Sequence, residues 1–399
     1  MKTSTKIASV MVAATAVVAA SVPVAGATPI TPDRTAVLQR DADAMLEYGT
    51  PGVLAEVDTP HGDLRVRSGF GNVEAGTPVP WDAKFRIGSF TKTYVATTVL
   101  QLVGEGRLSL DDKVDKVLPG VVRGNGNDGR RITVRQLLQH TSGLPDYLAG
   151  LPDLFTEEGF QRIRYQTITP ERAIELAMGF PPEFAPGTQW NYSNTNYMLA
   201  GMIIEKVTGH SWQSEVQRRI IKPLHLTNTY TPGTRTTIPN PHAVGYERFP
   251  GEGATPDDPK YGEPIDATNL NPSWGGAAGE MISTASDGNR FLRALLGGHL
   301  LRPAQLAEMK RTVPTNDGFR GNWPGARYGL GLMYVPNECG GAWSHGGDIM
   351  GFKTRNGATG DGSRSVVITF NTDSFKPDPG VQPPATDVSI PLINHALCG

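Results

Sequence analysis

Apolar residues follow two rhythms along this chain, and the rhythm changes with position. Near both ends they alternate with polar residues or form short β-branched blocks, the signature of strands. "GVLAEVDT" (52–59) and "DLRVRSGFGN" (63–72) predict two strands, and "FRIGS" (85–89) a third, or an extended approach to Ser89. Towards the C-terminus "YGLGLMYV", "GGAWSHGG", "GFKTRNGA" and "RSVVITFNT" predict four more, with Gly357 and Asp361-Gly362 supplying turns between the last of them. Between the two ends the apolar spacing shifts to three and four, the helical period. Thr31 reads as the cap of a first helix with Pro32 at its first position, running to about Tyr48 with Val37, Leu38, Met45 and Leu46 on one face. "TKTYVATTVLQLV" (91–103) contains no Gly or Pro and predicts a buried helix ending at Gly104. "NTNYMLAGMIIEKVTG" (194–209) predicts a second, stopped by Gly209. Thr133 caps a short helix in "ITVRQLLQHTSGL", and further helices fall near 170–178, 212–224, 285–298, 303–312 and 384–397. The rest of 145–190 and the stretch 232–272 are rich in turn residues and read as loop.

Strands at both ends and helices between them predict an α+β fold. One antiparallel sheet, formed by N- and C-terminal segments, is flanked by helices and carries an inserted, mostly helical region at about 105–325. Residues 28–399 are expected to form a single domain. At 38% hydrophobic and 19% charged residues the chain can bury a proper core, so its 47 Gly and 32 Pro imply ordered loops rather than disorder. A net charge of −2 without a basic block argues against a nucleic-acid partner. Residues 1–27 read as a secretion signal: Lys2 and Lys6, a short apolar run from Ile7 to Ala20, then Ala25-Gly26-Ala27 as cleavage pattern. An uncleaved anchor is the alternative; no later segment could span a membrane. A secreted, extracellular protein, acting as a monomer, is the expectation. In that oxidising setting the only two cysteines, Cys339 and Cys398, would pair. No metal site and no cofactor is expected.

Chemistry enters at Ser89-Phe90-Thr91-Lys92, an S-x-x-K. Three residues apart on a helix, serine and lysine share a face, and a buried lysine can lose its proton and take the serine's. Alone, the motif reads equally well as a helix cap followed by a solvated lysine. Two further motifs change the balance: Tyr192-Ser193-Asn194 ahead of an apolar helix, and His345-Gly346-Gly347 near the C-terminal strands.

S-x-x-K, then Y-x-N about a hundred residues on, then a basic residue with Gly two further, resembles the serine penicillin-recognising enzymes. These include D-alanyl-D-alanine carboxypeptidases, class C β-lactamases and related esterases and aminopeptidases. The likeness covers about 30–399 and is supported by "LLQHTSGL", "APGTQWNYSNTNY", "YGLGL" and the terminal "LCG". It implies a β-lactamase/transpeptidase-like fold and an acyl-enzyme on Ser89. Lys92 would accept or relay the serine proton. Tyr192 would act as base in acylation and serve the leaving nitrogen. Asn194 would bind the substrate amide, and His345 would tune Tyr192. The backbone N–H groups of Ser89 and Asp348 would form the oxyanion hole; Trp274, Phe155, Gly346 and Gly347 would line the substrate groove. His140 reads as structural, closing the helix before "TSGL".

The resemblance implies a D-alanyl-D-alanine carboxypeptidase or transpeptidase acting on D-amino-acid peptides, and acylation by β-lactams. The sequence departs from that pattern at one place. Where such enzymes carry H-T-G-T, this chain reads His345-Gly346-Gly347-Asp348, and the upstream strand "LMYVPNE" has no arginine. An acid there would repel a terminal carboxylate. An esterase, amidase or D-aminopeptidase that does not recognise a terminal carboxylate is therefore the alternative, and a non-catalytic penicillin-binding sensor a second one.

Overall fold

The computed structural model describes residues 33–255, 259–377, 380–382 and 384–399. The secretion signal and the Thr31-Pro32 helix start lie outside them. Arg34–Gly399 forms one compact unit. The helices that carry the argument are α1 (Arg34–Leu46), α2 (Thr91–Gly104), α3 (Val134–Leu138), α4 (Pro170–Met178), α5 (Thr195–Thr208), α6 (Ala285–Leu296), α7 (Asp317–Asn322) and α8 (Ile390–Cys398).

Nine strands make one sheet: β1 (Gly52–Thr59), β2 (Gly62–Gly69), β3 (Val313–Pro314), β4 (Arg327–Tyr328), β5 (Met333–Val335), β6 (Ala342–Ser344), β7 (Gly347–Ile349), β8 (Phe352–Ala358) and β9 (Ser365–Phe370). Their order is β2-β1-β9-β8-β6-β5-β4-β3, with β7 pairing β8 off this path. N- and C-terminal segments meet at β1 and β9, antiparallel from Val53↔Phe370 to Asp58↔Ser365. Val366, Ile368 and Phe370 of β9 join a cluster with Leu38 and Met45 of α1 and Leu392 and Ile393 of α8. Val367 belongs to a second, larger cluster, with Phe90 and with Phe291 of α6. A central strand covered on both faces reads as a continuous apolar run, which is why "VVITF" does not alternate.

Helices α2 and α5 are buried nearly all round and pack on each other inside the larger cluster. The Thr133 cap of α3 is a full capping box with Gln136, and Gly209 closes α5 in the left-handed conformation. Two expectations fail. Gly357 makes no turn; it sits inside β8, where a Cβ would come within 2.9 Å of Ile393, so the missing side chain lets α8 lie close to the sheet. The stretch 145–190 holds a further helix at Glu157–Ile163, capped by Thr156, hidden in the sequence by a glycine and its shortness. Cys339 and Cys398 are disulfide-bonded, Cα to Cα 5.3 Å, joining the end of α8 to the loop before β6.

Candidate active site

Ser89 lies in a tight turn, Gly88–Phe90, that feeds directly into α2. Gly88 adopts φ +50°, and a Cβ on it would sit 2.8 Å from the Asp348 backbone nitrogen; only glycine fits this approach. The cap of α2 is Phe90 and receives no side-chain hydrogen bond, so the Ser89 hydroxyl is not used as a cap. Lys92 is fully buried. Both halves of the helix-cap reading of S-x-x-K therefore fail.

The Lys92 Nζ lies 2.9 Å from Ser89 Oγ, 2.7 Å from Asn194 Oδ1 and 2.7 Å from the Ala278 carbonyl. Burial pushes its ammonium down to about 7, with the charges of Asp146 and Asp348 partly opposing the shift. Neutral lysine is thus well populated near pH 7. Two of its three contacts can only accept, so a deprotonated amine keeps its lone pair for Ser89, the one partner that can donate.

Tyr192 and Asn194 stand at the entrance to α5. Tyr192 and Ser89 line the same cavity, and the phenol ring lies 4.9 Å from Lys92 Nζ. Burial raises the Tyr192 pKa well above the ordinary phenol value, outweighing the opposing effect of the nearby Ser89 hydroxyl. A phenolate is disfavoured, so Tyr192 stands beside Ser89 as a neutral phenol. His140 is structural in a specific way: buried at φ +61°, its Nδ1 accepts from the Ser193 backbone N–H at 3.2 Å. Its ring packs on Tyr192 with centroids 4.3 Å apart.

The third motif forms the edge next to Ser89. A Cβ on Gly347 would fall 1.9 Å from the Ile87 carbonyl oxygen and 2.8 Å from Ser89 N, so β7 and the Ser89 turn touch backbone to backbone. This contact places the Ser89 and Asp348 amides beside one another, as an oxyanion hole needs. His345 makes no hydrogen bond to Tyr192; the two rings lie with centroids 6.3 Å apart. The His345 Nδ1 lies 2.8 Å from the Gly346 carbonyl, so that nitrogen carries the proton, and Nε2 accepts from the Tyr328 hydroxyl at 2.7 Å. Burial, helped by the nearby Lys92 charge, lowers His345 to about 3, and it stays neutral at physiological pH.

Asp348 is half exposed and engaged by two cations, Arg355 at 2.7 Å and Lys353 at 3.1 Å. Desolvation by the surrounding protein opposes ionisation, but these cations outweigh it and hold the Asp348 carboxyl well below its ordinary value. Arg355 is also paired with Asp387 at 2.6 Å, and Lys353 with Asp373 at 3.1 Å. Three aspartates face two cations, a formal excess of one negative charge.

A cavity of about 340 Å³ opens at Ser89, with Tyr192, Phe319, Trp323, Met333 and Arg355 among its walls. Of the expected groove residues Gly346 lines the cavity, whereas Gly347, Phe155 and Trp274 do not. Phe155, 46% exposed, borders a separate depression with Glu247, Tyr261 and Asp373. Trp274 is buried, its carbonyl accepting the Tyr147 hydroxyl. Sequence reading missed Asp146, Tyr328 and Arg355. Asp146 follows "LLQHTSGL" by two residues and Tyr328 opens "YGLGL", but nothing in those stretches says which side chain faces the lysine or the histidine. Among the described residues no group of three or more acidic, His or Cys side chains could hold a metal.

Comparison with known proteins agrees with this geometry. The chain is 42% identical to a D-stereospecific amidohydrolase from Streptomyces sp., with a TM-score of 0.81 over 92% of this chain and 99% of that one. It is 27% identical to the D-amino acid amidase of Ochrobactrum anthropi SV3, TM-score 0.74, over 91% and 98%. Penicillin-binding protein 4 of Amycolatopsis lactamdurans is 32% identical over 278 residues, 67% of each chain. The relatives named Protein flp from Staphylococcus aureus are longer, and the match spans 37% of their length. The family model described as Beta-lactamase matches residues 36–388, and with these relatives it shows that the chain belongs to the Beta-lactamase family of serine hydrolases.

Proposed function

We propose that this protein hydrolyses amides of D-amino acids through an acyl-enzyme on Ser89, rather than removing a C-terminal D-alanine. One observation carries the choice. The two cations next to the oxyanion site, Arg355 and Lys353, are each held by two aspartates, and the group has a formal excess of negative charge. A substrate carboxylate would find no free cation there and would meet Asp348. A neutral amide meets no such penalty. The kinship with a D-stereospecific amidohydrolase supports both the amide and the D configuration.

Neutral Lys92 takes the Ser89 proton as Oγ attacks the amide carbon, and the oxyanion rests between the Ser89 and Asp348 amides. Tyr192 gives its hydroxyl proton to the leaving nitrogen and is reprotonated from the Lys92 ammonium, which restores the neutral amine; water repeats the sequence on the ester. We also propose that the protein is exported. The N-terminal pattern supports this, and so does a disulfide, which persists in oxidising compartments.

The test compares a D-dipeptide ending in free D-alanine with its C-terminal amide and with D-phenylalanine amide, for wild type and Asp348→Thr. The amides should be preferred by wild type, and Asp348→Thr should narrow the gap. Strong wild-type preference for the free acid refutes the proposal. Ser89→Ala must abolish every activity.

A further inference from the structure

Behind Asn194 stands a carboxylate that belongs to none of the three motifs. Asp146 Oδ2 accepts from the Asn194 backbone N–H at 3.0 Å and from Asn194 Nδ2 at 2.8 Å, and Oδ1 accepts from the Leu148 N–H at 3.0 Å. An ionised carboxylate can only accept. It therefore decides which way the Asn194 amide faces: the NH2 turns to Asp146, and Oδ1 turns to Lys92 at 2.7 Å. With Oδ1 in that place, Lys92 meets two obligate acceptors, Asn194 Oδ1 and the Ala278 carbonyl. A neutral amine has two N–H bonds and one lone pair. The arrangement that satisfies all three contacts points the lone pair at the Ser89 hydroxyl. Were the Asn194 amide reversed, its NH2 would compete for that lone pair.

We propose that Asp146 is a positioning residue for acyl transfer: through Asn194 it aims the Lys92 lone pair at Ser89, and its charge stabilises the ammonium that forms. This rests on the acyl-enzyme reading given above. In the step served, the Ser89 O–H bond breaks, its proton goes to Lys92 Nζ, Oγ bonds the acyl carbon, and the carbonyl π electrons move to the oxyanion. The groups facing Lys92 can be named. Asp146 comes from the loop after α3 and Asp348 from β7; His140, His345, Tyr192 and Tyr197 are neutral neighbours. Asp348 is engaged by Arg355 and Lys353, whereas Asp146 is the anion linked to the lysine by a single amide.

The experiment uses phenylmethanesulfonyl fluoride, a small probe whose sulfur is attacked by Ser89 with loss of fluoride, so the rate does not depend on the natural substrate. Its rate of reaction is measured from pH 5 to 9.5 on the full chain. In wild type the rate rises through a midpoint near 7, where Lys92 becomes neutral. Asp146→Asn keeps the size and removes the charge. Its midpoint should fall by about one pH unit, for a charge one amide away from the lysine. Its plateau should fall at least about tenfold, because the amide pair no longer has a single orientation. Asp146→Glu, which keeps the charge, should stay near the wild-type midpoint. An Asp146→Asn curve that matches wild type overturns the proposal, as does a lower plateau without a shift in midpoint, which a purely structural role would give. If Asp146→Asn does not fold, Asn194→Ala breaks the same link and should lower the plateau equally; unchanged reactivity overturns the proposal. An unreactive Ser89 in wild type is a different result and refutes the acyl-enzyme reading.

Discussion

Replacing Lys92 with methionine should alter how stability depends on pH, besides abolishing activity. Lys92 titrates near 10.5 in the unfolded chain and, because of burial, at about 7 in the fold. Between those values the unfolded state holds one more proton than the native state, so native stability rises with pH at about 1.4 kcal/mol per unit. The sign follows from a depressed basic group. The fold disfavours its charged form, so the penalty is full below pH 7, fades as pH rises and is gone above 10.5. From pH 7.0 to 9.5, with partial protonation at both ends, Lys92 accounts for about 3 kcal/mol of gain. Methionine exchanges no proton, and every other titrating group is common to the two proteins. At pH 7 the variant escapes the penalty but strands Asn194 Oδ1 and the Ala278 carbonyl, at about 1–3 kcal/mol each, so the two proteins start close together. Urea unfolding followed by tryptophan fluorescence at pH 7.0 and 9.5 measures the gap. Wild type should pull ahead by about 3 kcal/mol at the higher pH. A gap that changes by less than about 1 kcal/mol would show an ordinary lysine and would remove the neutral base from the mechanism.

Two further predictions concern the groups around the serine. Tyr192→Phe should keep the fold and the pH midpoint set by Lys92 but lower kcat by about 10²–10⁴-fold, the usual worth of a positioned proton donor; a small loss would mean that water or Lys92 serves the leaving nitrogen. Gly347→Ala should cost about 10²-fold or more in kcat on D-phenylalanine amide, because the added Cβ meets the Ile87 carbonyl oxygen at 1.9 Å and must push β7 off the Ser89 turn; near wild-type turnover would place the oxyanion site elsewhere.

Much of the architecture was legible because it depends on local pattern. The long apolar helices α2 and α5 contain no internal proline and end at glycine positions, and the tail strands carry β-branched runs. Gly357 misled because a glycine in a strand can mean either a turn or a close approach. Only α8 lying over β8 distinguishes them. Phe155 and Trp274 misled for a related reason. An aromatic in a loop says nothing about which hollow it borders.

The sequence by itself determined the residue types the chemistry requires and the order in which they arrive: Ser89 and Lys92, then Tyr192 and Asn194, then His345. A helical spacing puts the first two on one face whatever the rest of the chain does. The tertiary structure decided what those groups are able to do. A lysine is a base near pH 7 only when it is buried, and residues around 146, 194 and 278 supply that burial and its acceptors. His345 is a silent neutral ring because Tyr328 and the Gly346 carbonyl take both its nitrogens. Asp348 looked from the sequence like an unpaired acid at the oxyanion; β8 brings Arg355 and Lys353 against it. Protonation and charge pairing depend on desolvation and on distances of a few ångströms between segments far apart in the chain, which residue order alone does not specify.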